Sequence, residues 1–385
     1  MSTAQILADH TTARVGGPAA EWTVARSEAE AVDVLQTHPL PEESVRATGQ
    51  DTLLVLGGGS NLLVRDRGFS GAVLQLAFSG ISAEPIGDDA VDLQVAAGHD
   101  WDSVVAWTVE RGLCGLETLS GIPGAAGAVP VQNVGAYGSD VSETIVQVRA
   151  WDRAVGDAVV LTNDDLKFGY RDSMLKRSTI SGSPRYVVLS VTFRLTHQPG
   201  PALSAPVRYA ELARALGLDP TAEDSARRAP LDQVRRTVLD LRAKKGMVLN
   251  AEDHDTWSTG SFFTNPIIAQ AQLATLPERT PRFSAGTSRD GQALVKLSAA
   301  WLIDQAGCGK GFGLPDGPEL GRGAAGAGLV GGRAALSTKH TLAVTNRGEA
   351  STEDLLTVAR AARDRVRDTF GITLHPEPVL IGCEL

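Results

Sequence analysis

The chain has few cysteines, no excess of basic residues and no long apolar run. Its three cysteines, Cys114, Cys308 and Cys383, form no CxxC pair, so neither a zinc site nor a disulfide framework is expected. A net charge of −9 does not support a nucleic-acid-binding surface. No stretch approaches about 18 consecutive apolar residues, which argues against a membrane span. The first residues, MSTAQILADH, lack the basic and apolar regions of a signal peptide, so we expect a cytoplasmic protein. From the cysteine spacing we expect no metal centre.

Glycine, in contrast, is abundant and clustered. The 385 residues predict two or three domains with a sizeable core, since 43% of the residues are hydrophobic. The 41 glycines gather mainly at 56–66, 112–140 and 305–332, with a weaker cluster at 14–19. Because glycine tolerates positive φ and lets the backbone approach a ligand closely, these clusters are candidate binding loops.

Hydrophobic periodicity predicts a mixed α+β chain up to about residue 196. A helix is predicted after Ser27, with Glu30 completing a capping box, and another after Asp100, with Gly112 just past its end. The apolar segments around these helices, such as GAVLQLA and RYVVLSVTFRL, are typical of strands.

The chain becomes more helical beyond a boundary placed near 200–210. An amphipathic helix is predicted from Pro230 to a stop at Gly246. A long helix is predicted after Ser351, with Asp354 completing its cap. The sequence therefore predicts a second α+β region with its own core.

The first glycine loop, GGGSN, directly follows an apolar strand. Successive backbone N–H groups in such a turn can bind a phosphate or pyrophosphate, and Ser60 and Asn61 add side-chain donors. The loop matches neither the P-loop nor the Rossmann fingerprint. A hairpin turn with surplus glycine is the alternative interpretation.

A second loop carries Gly121, Gly124 and Gly127 and leads into PVQNVGAYG, which is rich in amide and hydroxyl groups. Two such loops suggest a dinucleotide that is larger than one loop can hold. Without Rossmann spacing, the candidate ligand is FAD on a different scaffold.

The stretch STGSFFTNP, at 258–266, places hydroxyl residues directly before two phenylalanines. On its own it is typical of a short edge strand that ends in an Asn-Pro turn. The alternative is a serine that its neighbours hold in place for a substrate.

Six motifs together resemble one family, the UDP-N-acetylenolpyruvoylglucosamine reductases. They follow one another in the family's order: LGGGSNLLV, SGIPGAAGAVPVQNVGAYG, YRDSMLK, GSFFTNP, KLSAAWLIDQAGCGKG and HPEPVLIG. The resemblance spans Thr11 to Gly382. The segment APVRYAEL resembles the longer subtype, in which a tyrosine on an extra loop reaches the substrate, and Tyr209 is the matching residue. The stretch 311–332 is longer and richer in Gly and Ala than the family's usual turn.

The resemblance implies an α+β protein with an FAD-binding fold of the vanillyl-alcohol-oxidase (PCMH) type. The expected domains are two FAD-binding subdomains at 1–80 and 81–205, a substrate-binding domain at 206–372, and a C-terminal segment, 373–385, that returns to the active site. The implied reaction uses FAD and NADPH to reduce the enolpyruvyl group of UDP-N-acetylglucosamine enolpyruvate to UDP-N-acetylmuramate, for peptidoglycan. The expected state is a monomer.

The resemblance also implies residue roles. Ser261 matches the proton donor, while Arg171 and Glu377 match the active-site arginine and glutamate. The implied substrate contacts are Tyr170, Tyr209, Lys245, Asn265 and His340, with Lys244 as the alternative to Lys245. The implied FAD contacts are Gly57, Gly58, Gly59, Ser60, Asn61, Gly121, Ile122, Pro123, Gly124, Gly127, Asn133, Gly135, Ala136 and Tyr137.

Two other functions compete with this interpretation. One is an FAD oxidase or dehydrogenase of a sugar or hydroxy acid on the same scaffold, although the sequence places no His or Cys for covalent flavin attachment. The other is a nucleotide-binding regulatory module without enzymatic activity. For Arg171 and Glu377 the structural alternatives are an ion pair with Asp172 and a solvated charge.

Overall fold

A computed structural model describes residues 5–42, 52–197, 202–288, 290–317 and 328–385. The strands are β1 (Ala19–Ala25), β2 (Leu53–Leu56), β3 (Leu62–Val64), β4 (Phe69–Leu76), β5 (Ile81–Ile86), β6 (Ala90–Ala96), β7 (Leu113–Cys114), β8 (Gly135–Ala136), β9 (Ser139–Asp140), β10 (Ile145–Asp152), β11 (Asp157–Thr162), β12 (Tyr186–His197), β13 (Ile267–Ala269), β14 (Arg282–Thr287), β15 (Ala293–Leu297), β16 (Ala334–Leu336), β17 (Val344–Asn346) and β18 (Val379–Ile381). The α-helices are α1 (Glu28–Thr37), α2 (Trp101–Glu110), α3 (Asn163–Leu166), α4 (Met174–Arg177), α5 (Ala210–Ala215), α6 (Leu231–Lys244), α7 (Ala299–Gln305) and α8 (Thr352–Phe370).

The chain forms two compact units. The first is built mainly from Ala19–Gly59 and Phe69–Val248. The second is built from Ile6–Pro18, Ser60–Gly68 and Leu249–Leu385. The chain therefore passes from one unit to the other within the GGGSN loop, between Gly59 and Ser60.

The first unit contains a parallel sheet and an antiparallel sheet. The parallel sheet has the strand order β1-β4-β2, and the antiparallel sheet has the order β11-β10-β12-β6-β5, with β7 added beside β12. One apolar core includes residues of both sheets and of α2, with Trp101 and Phe193 fully buried and their rings 5.6 Å apart. The predicted helix cap at Asp100 is confirmed, because its side chain accepts the N–H of Ser103.

The segment with α5 and α6 also belongs to the first unit. Val207, Leu212, Val234 and Val238 form a small buried cluster, and α6 packs against the turn at Glu117–Leu119. The units thus divide the chain at 248/249, whereas the sequence analysis placed a domain boundary near 200–210. The functional domain assignment, with 206–372 as the substrate-binding domain, stays a prediction.

The second unit surrounds the long helix α8. Ser351 and Asp354 form the predicted capping box, and α8 packs on α7 and on the β16-β17 hairpin. A three-stranded sheet with the order β13-β15-β14 and a parallel pair of β18 and β3 complete the unit. The predicted strand–loop–strand at DTLLVLGGGSNLLV is confirmed by β2 and β3.

Two details differ from the sequence analysis or lie beyond it. At α1 the capping box is only half formed: Ser27 accepts the N–H of Glu30, but the Glu30 carboxylate accepts the N–H of Arg26. Residues 318–327 of the glycine-rich stretch lie outside the described residues.

Within the part of the chain that the structure describes, no helix is long and apolar enough to cross a membrane.

Candidate active site

The two glycine loops predicted to bind one dinucleotide touch each other in the first unit. A Cβ atom on Gly58 would lie 2.7 Å from the Cα atom of Gly124, and one on Gly57 would lie 3.1 Å from the Cβ atom of Ala125. Gly124 also has a φ of +128°, which side-chain-bearing residues rarely adopt. This contact therefore requires glycine at both central positions.

Unused backbone donors line these loops. Within the described residues, no acceptor is paired with the N–H groups of Gly58, Gly59, Ile122 or Gly124, and Gly59 is buried. Buried N–H groups normally have a partner, and a set of free N–H groups on adjoining turns is a cradle for an anion. These loops fit the pyrophosphate of FAD. Gly127 differs, because its N–H donates to Ala97 and it packs against that residue.

Asp102 fixes the second glycine loop to α6. Its carboxylate accepts the N–H of Gly121 at 2.5 Å and two hydrogen bonds from Arg235 at 2.6 and 2.8 Å. Burial alone would raise the pKa of Asp102, but the hydrogen bonds from Arg235 and Gly121 outweigh it and hold the pKa below its ordinary value of 3.8. Asp102 therefore stays ionised and holds the loop in place.

Arg171 lies in a tight turn in which Gly169 and Asp172 exchange backbone hydrogen bonds. Its φ of 54° is left-handed, which is uncommon for a residue with a side chain. Its guanidinium donates to the carbonyl oxygens of Gly135 at 2.7 Å and of Asn133 at 3.4 Å. Asp172 pairs with the Arg177 side chain. The turn therefore places the Arg171 guanidinium against two backbone carbonyl oxygens.

The Asn133 side chain stabilises that turn through hydrogen bonds. The side chain is 4% exposed and donates to the carbonyl oxygen of Gly169, while its own oxygen accepts the N–H of Ser142. Gly135 and Ala136 form the short strand β8, and Tyr170 is 40% exposed beside Arg171. The structure therefore brings Arg171 together with three predicted FAD contacts of the segment 133–136.

Tyr137, Tyr209 and Lys245 form a second group in the first unit. The two tyrosine rings meet edge-on at 5.6 Å, and the Lys245 ammonium lies 5.8 Å from the Tyr137 ring. Lys245 pairs with Glu211 at 2.6 Å, whereas Lys244 is exposed. Burial raises the pKa of the Tyr137 phenol to about 12, so this phenol remains a hydrogen-bond donor at neutral pH.

Sequence reasoning missed Arg242, which lies beside this group. Its Nη2 donates to the carbonyl oxygen of Met247 at 2.8 Å, whereas its buried Nε has no hydrogen-bond partner among the described residues. Burial is the main reason that the pKa of Arg242 falls to about 10. One signal could have found it, because Arg242 continues the buried stripe of Val234 and Val238 at helical spacing.

In the second unit, Ser261 and Glu377 lie on neighbouring paired segments. The N–H of Glu377 donates to the carbonyl oxygen of Phe262 at 2.8 Å, and Phe263 pairs with Pro376. Phe262 and Phe263 are each 1% exposed, and their rings meet at 5.1 Å. The aromatic pair thus fixes the backbone immediately after Ser261.

The GGGSN loop continues into the same unit. The Asn61 carbonyl accepts the N–H of Val379, and its side chain donates to the Glu377 carbonyl at 3.4 Å. Asn265 accepts the N–H of Ala299, at the start of α7, and the half-buried His340 lies in a turn that the Ser337 hydroxyl holds. The second unit therefore brings together the backbone segments of Ser261, Glu377 and Asn61. Asn265 and His340 hydrogen-bond to Ala299 and Ser337 in the same unit.

Comparisons with known proteins found family matches in both the N-terminal and the C-terminal part of the chain. A model of an FAD binding domain matches residues 43–162. A model described as UDP-N-acetylenolpyruvoylglucosamine reductase, C-terminal domain, matches residues 320–381. Together with the observed α+β architecture, the first match confirms the predicted class of FAD-binding fold.

Curated relatives match over nearly their full length. The UDP-N-acetylenolpyruvoylglucosamine reductase of Streptomyces avermitilis is 47% identical, over 98% of this chain and 94% of the relative. That of Saccharopolyspora erythraea is 48% identical, over 98% and 95%. A solved structure, the UDP-N-acetylenolpyruvylglucosamine reductase of Thermus caldophilus, has a TM-score of 0.58 at 23% identity and covers 98% of both chains, which supports the fold.

Proposed function

The chain belongs to the UDP-N-acetylenolpyruvoylglucosamine reductase family, and from that premise we propose that it reduces UDP-N-acetylglucosamine enolpyruvate to UDP-N-acetylmuramate. FAD is its cofactor and NADPH its hydride donor. The observation that carries the proposal is the 47% identity to curated reductases over 98% of the chain. The unused N–H groups of the two glycine loops support it independently, because they suit a dinucleotide.

The glycine loops hold the FAD pyrophosphate through their backbone. Bound FAD would supply the hydride chemistry between NADPH and the vinyl carbon of the substrate. The N–H groups of Gly58, Gly59, Ile122 and Gly124 provide donors without a side chain that would block the approach. The Asp102 carboxylate keeps the second loop in that conformation.

Arg171 holds the carboxylate of the enolpyruvyl group. Negative charge grows on this carboxylate during reduction, and a planar guanidinium can meet it with two parallel hydrogen bonds. The left-handed turn and the carbonyl oxygens of Asn133 and Gly135 support the guanidinium before substrate arrives. Preorganisation of this kind stabilises the transition state more than the ground state.

Ser261 gives the proton to the substrate carbon next to the carboxylate. A serine hydroxyl is a weak acid, so its contribution depends on placement and on exclusion of water. The buried Phe262 and Phe263 provide a fixed, apolar backbone on one side of Ser261. Glu377, on the paired segment, adds electrostatic and proton-handling capacity.

Tyr209, Lys245, Asn265 and His340 bind the diphosphate of the nucleotide. Tyr170, beside Arg171, is a further substrate contact. The exposed Tyr209 precedes α5 directly, and Lys245 already faces an anion, the carboxylate of Glu211. A diphosphate carries more charge than a carboxylate and can replace Glu211 as the partner. The half-buried cation of Arg242, which lies beside Tyr137, adds positive potential near Tyr209 and Lys245.

A sugar nucleotide and NADPH are cytoplasmic metabolites, so we place the enzyme in the cytoplasm. Its product is a precursor of peptidoglycan, on which cell-wall growth, cell shape and cell division depend. We expect a monomer, because the proposed roles call on residues of one chain.

The visible spectrum of the purified protein tests the proposal. We expect the bands of oxidised FAD, bleached by NADPH under anaerobic conditions and restored by the enolpyruvyl sugar nucleotide. Restoration by oxygen alone, after reduction by a sugar or hydroxy acid, would instead identify an oxidase. A protein that stays colourless after FAD is added would contradict both enzymatic functions.

A further inference from the structure

We infer that the Thr11–Val15 loop, acting through the Thr12 hydroxyl, is a positioning element for Ser261. The inference rests on the proposed role of Ser261 as proton donor. None of the motifs of the catalytic residues includes this loop, yet within the second unit the loop contacts the chain that leads into Ser261.

The Thr12 hydroxyl makes the central contact. It donates to the carbonyl oxygen of Ser258 at 2.6 Å, and this buried bond joins residues 246 positions apart. The carbonyl oxygen of Ser60 lies 3.4 Å from the same hydroxyl. One hydroxyl hydrogen serves one acceptor well, so the bond to Ser258 is the stronger contact.

Asn346 connects the same loop to Trp257, the residue just before Ser258. Its backbone N–H donates to the carbonyl oxygen of Trp257 at 2.9 Å. Its side-chain amide donates to the carbonyl oxygens of Ala13 and Arg14, both at 3.1 Å. The side chain is 2% exposed, so a lost bond here is not easily replaced by water.

Arg14 completes the connection through a ring contact. Its guanidinium lies 3.6 Å from the centre of the Trp257 ring, whose other neighbour is the ring of His254 at 4.3 Å. Arg14 reaches this position with a left-handed φ of 53°. A residue with a side chain holds that conformation when its surroundings maintain it.

These contacts leave only a short segment between two fixed points around Ser261. The carbonyl oxygens of Trp257 and Ser258 are fixed on one side, and the N–H and carbonyl of Phe262 are fixed on the other by Leu342 and Glu377. Only residues 259–261 lie between. Gly260 has a φ of +75°, and its N–H donates to the Ser258 hydroxyl at 3.2 Å. A shift at Ser258 therefore passes to Ser261, and a misplacement of about 1 Å can cost roughly 100-fold in rate.

Thr12→Val tests the inference, because it keeps the shape of the side chain and removes the hydroxyl. We expect the restoration of oxidised flavin by substrate to slow by about 10- to 100-fold, with FAD content and reduction by NADPH unchanged. Thr12→Ser should recover most of the rate. Amide hydrogen exchange of residues 258–263 should rise in Thr12→Val and not in Thr12→Ser.

Thr352→Val is the matched control. The Thr352 hydroxyl donates to the carbonyl oxygen of Val64 at 2.6 Å, is also buried, and lies in the same unit. This variant should be less stable, but its rates of flavin reduction by NADPH and of flavin reoxidation by substrate should be unchanged. Equal slowing of the substrate step in Thr12→Val and Thr352→Val would overturn the inference, because the effect would then be general.

The double variant Thr12→Val/Ser261→Ala separates this inference from the proposed function. If Thr12 acts through Ser261, the double variant should be no slower than Ser261→Ala. Additive losses, or a normal rate in Thr12→Val while Ser261→Ala is slow, would overturn the positioning role alone. A normal rate in Ser261→Ala would overturn the role of Ser261 and this inference with it. If Thr12→Val does not fold, Arg14→Gln takes its place with the same expectations.

Discussion

The backbone N–H of Glu377 donates a hydrogen bond of 2.8 Å to the carbonyl oxygen of Phe262, the residue that follows Ser261. Two motifs that are far apart in the sequence, GSFF and HPEP, are thereby joined into one paired segment. A proposed proton donor and a proposed carboxylate thus share a rigid backbone support. Such support matters for a serine, whose acidity alone would not protonate carbon.

Arg171→Lys should separate the two halves of the proposed reaction. Lysine keeps the charge but loses the planar fork, so restoration of oxidised flavin by substrate should slow by about 100-fold. Reduction by NADPH should change little. Stopped-flow absorbance of the two steps gives both rates. Arg194→Lys is the control, because Arg194 makes an exposed bidentate pair with Asp92.

Equal losses in both steps for Arg171→Lys would show that the residue supports the fold rather than the substrate carboxylate. Its hydrogen bonds to Asn133 and Gly135 make that outcome testable, because a structural loss would also lower the melting temperature.

Gly58→Val and Gly124→Val should lose FAD. A side chain on Gly58 would collide with the backbone of Gly124, and Gly124 has a positive φ that valine rarely adopts. Both glycines have unused N–H groups at this contact. The flavin-to-protein ratio measures the loss, and limited proteolysis checks that the second unit stays folded. Gly80→Ala is the matched control, because its nearest neighbour, the Ala96 Cβ, is 4.0 Å away. Full flavin content in both valine variants would remove the assigned role of these loops.

Lys245→Met should weaken binding of the sugar nucleotide. Loss of one charge-assisted hydrogen bond costs about 1.5–3 kcal/mol, or roughly 10- to 100-fold in affinity. Titration with UDP measures it directly and does not depend on the reaction. Lys244→Met, on the exposed neighbour, should bind normally. The reverse pattern would assign the contact to Lys244.

Asp102→Asn should destabilise the protein in a pH-dependent manner. The pKa of Asp102 is below 3.8 in the folded protein, so its stabilising effect is present above that pH and is lost as the pH falls through the folded-state value. We expect a loss of about 1–2 kcal/mol at pH 6. Urea unfolding of wild type and variant should show this difference narrowing below pH 3.8.

Asp232→Asn provides the comparison for Asp102, since its pair with Arg236 lies on the exposed face of α6. It should change stability by less than about 0.5 kcal/mol at either pH. A difference for Asp102→Asn that widens as the pH falls would contradict the assignment of an ionised Asp102.

Much of the local structure was predictable because its signals are local. The caps at Asp100 and Ser351 and the strand–loop–strand around GGGSN depend on residues a few positions apart. The motif order and chemistry also led to FAD. In the caps and the strand–loop–strand, the interaction that matters lies within one element or one loop, whereas FAD followed from two loops and the order of the motifs.

The remaining features depend on contacts between distant segments. Arg242 was missed because a cation near a helix C-terminus usually faces solvent, whereas here neighbouring segments cover part of it and bury its Nε. Thr12 and Asn346 were missed because their bonds to Ser258 and Trp257 span more than 80 residues. The grouping of α5 and α6 with the first unit has the same origin, since α6 packs against Glu117–Leu119.

The central claim is that Ser261 delivers the proton, and stopped-flow absorbance of Ser261→Ala tests it most directly. The variant should bind FAD, be reduced by NADPH at nearly the normal rate and bind the sugar nucleotide. Restoration of oxidised flavin by substrate should slow by at least about 10²- to 10⁴-fold, the usual contribution of a general acid. Ser261→Cys, with a more acidic group of similar reach, should recover part of the rate. A restoration rate within a few-fold of wild type in Ser261→Ala would contradict the claim and would make Glu377, or a water that it holds, the next candidate.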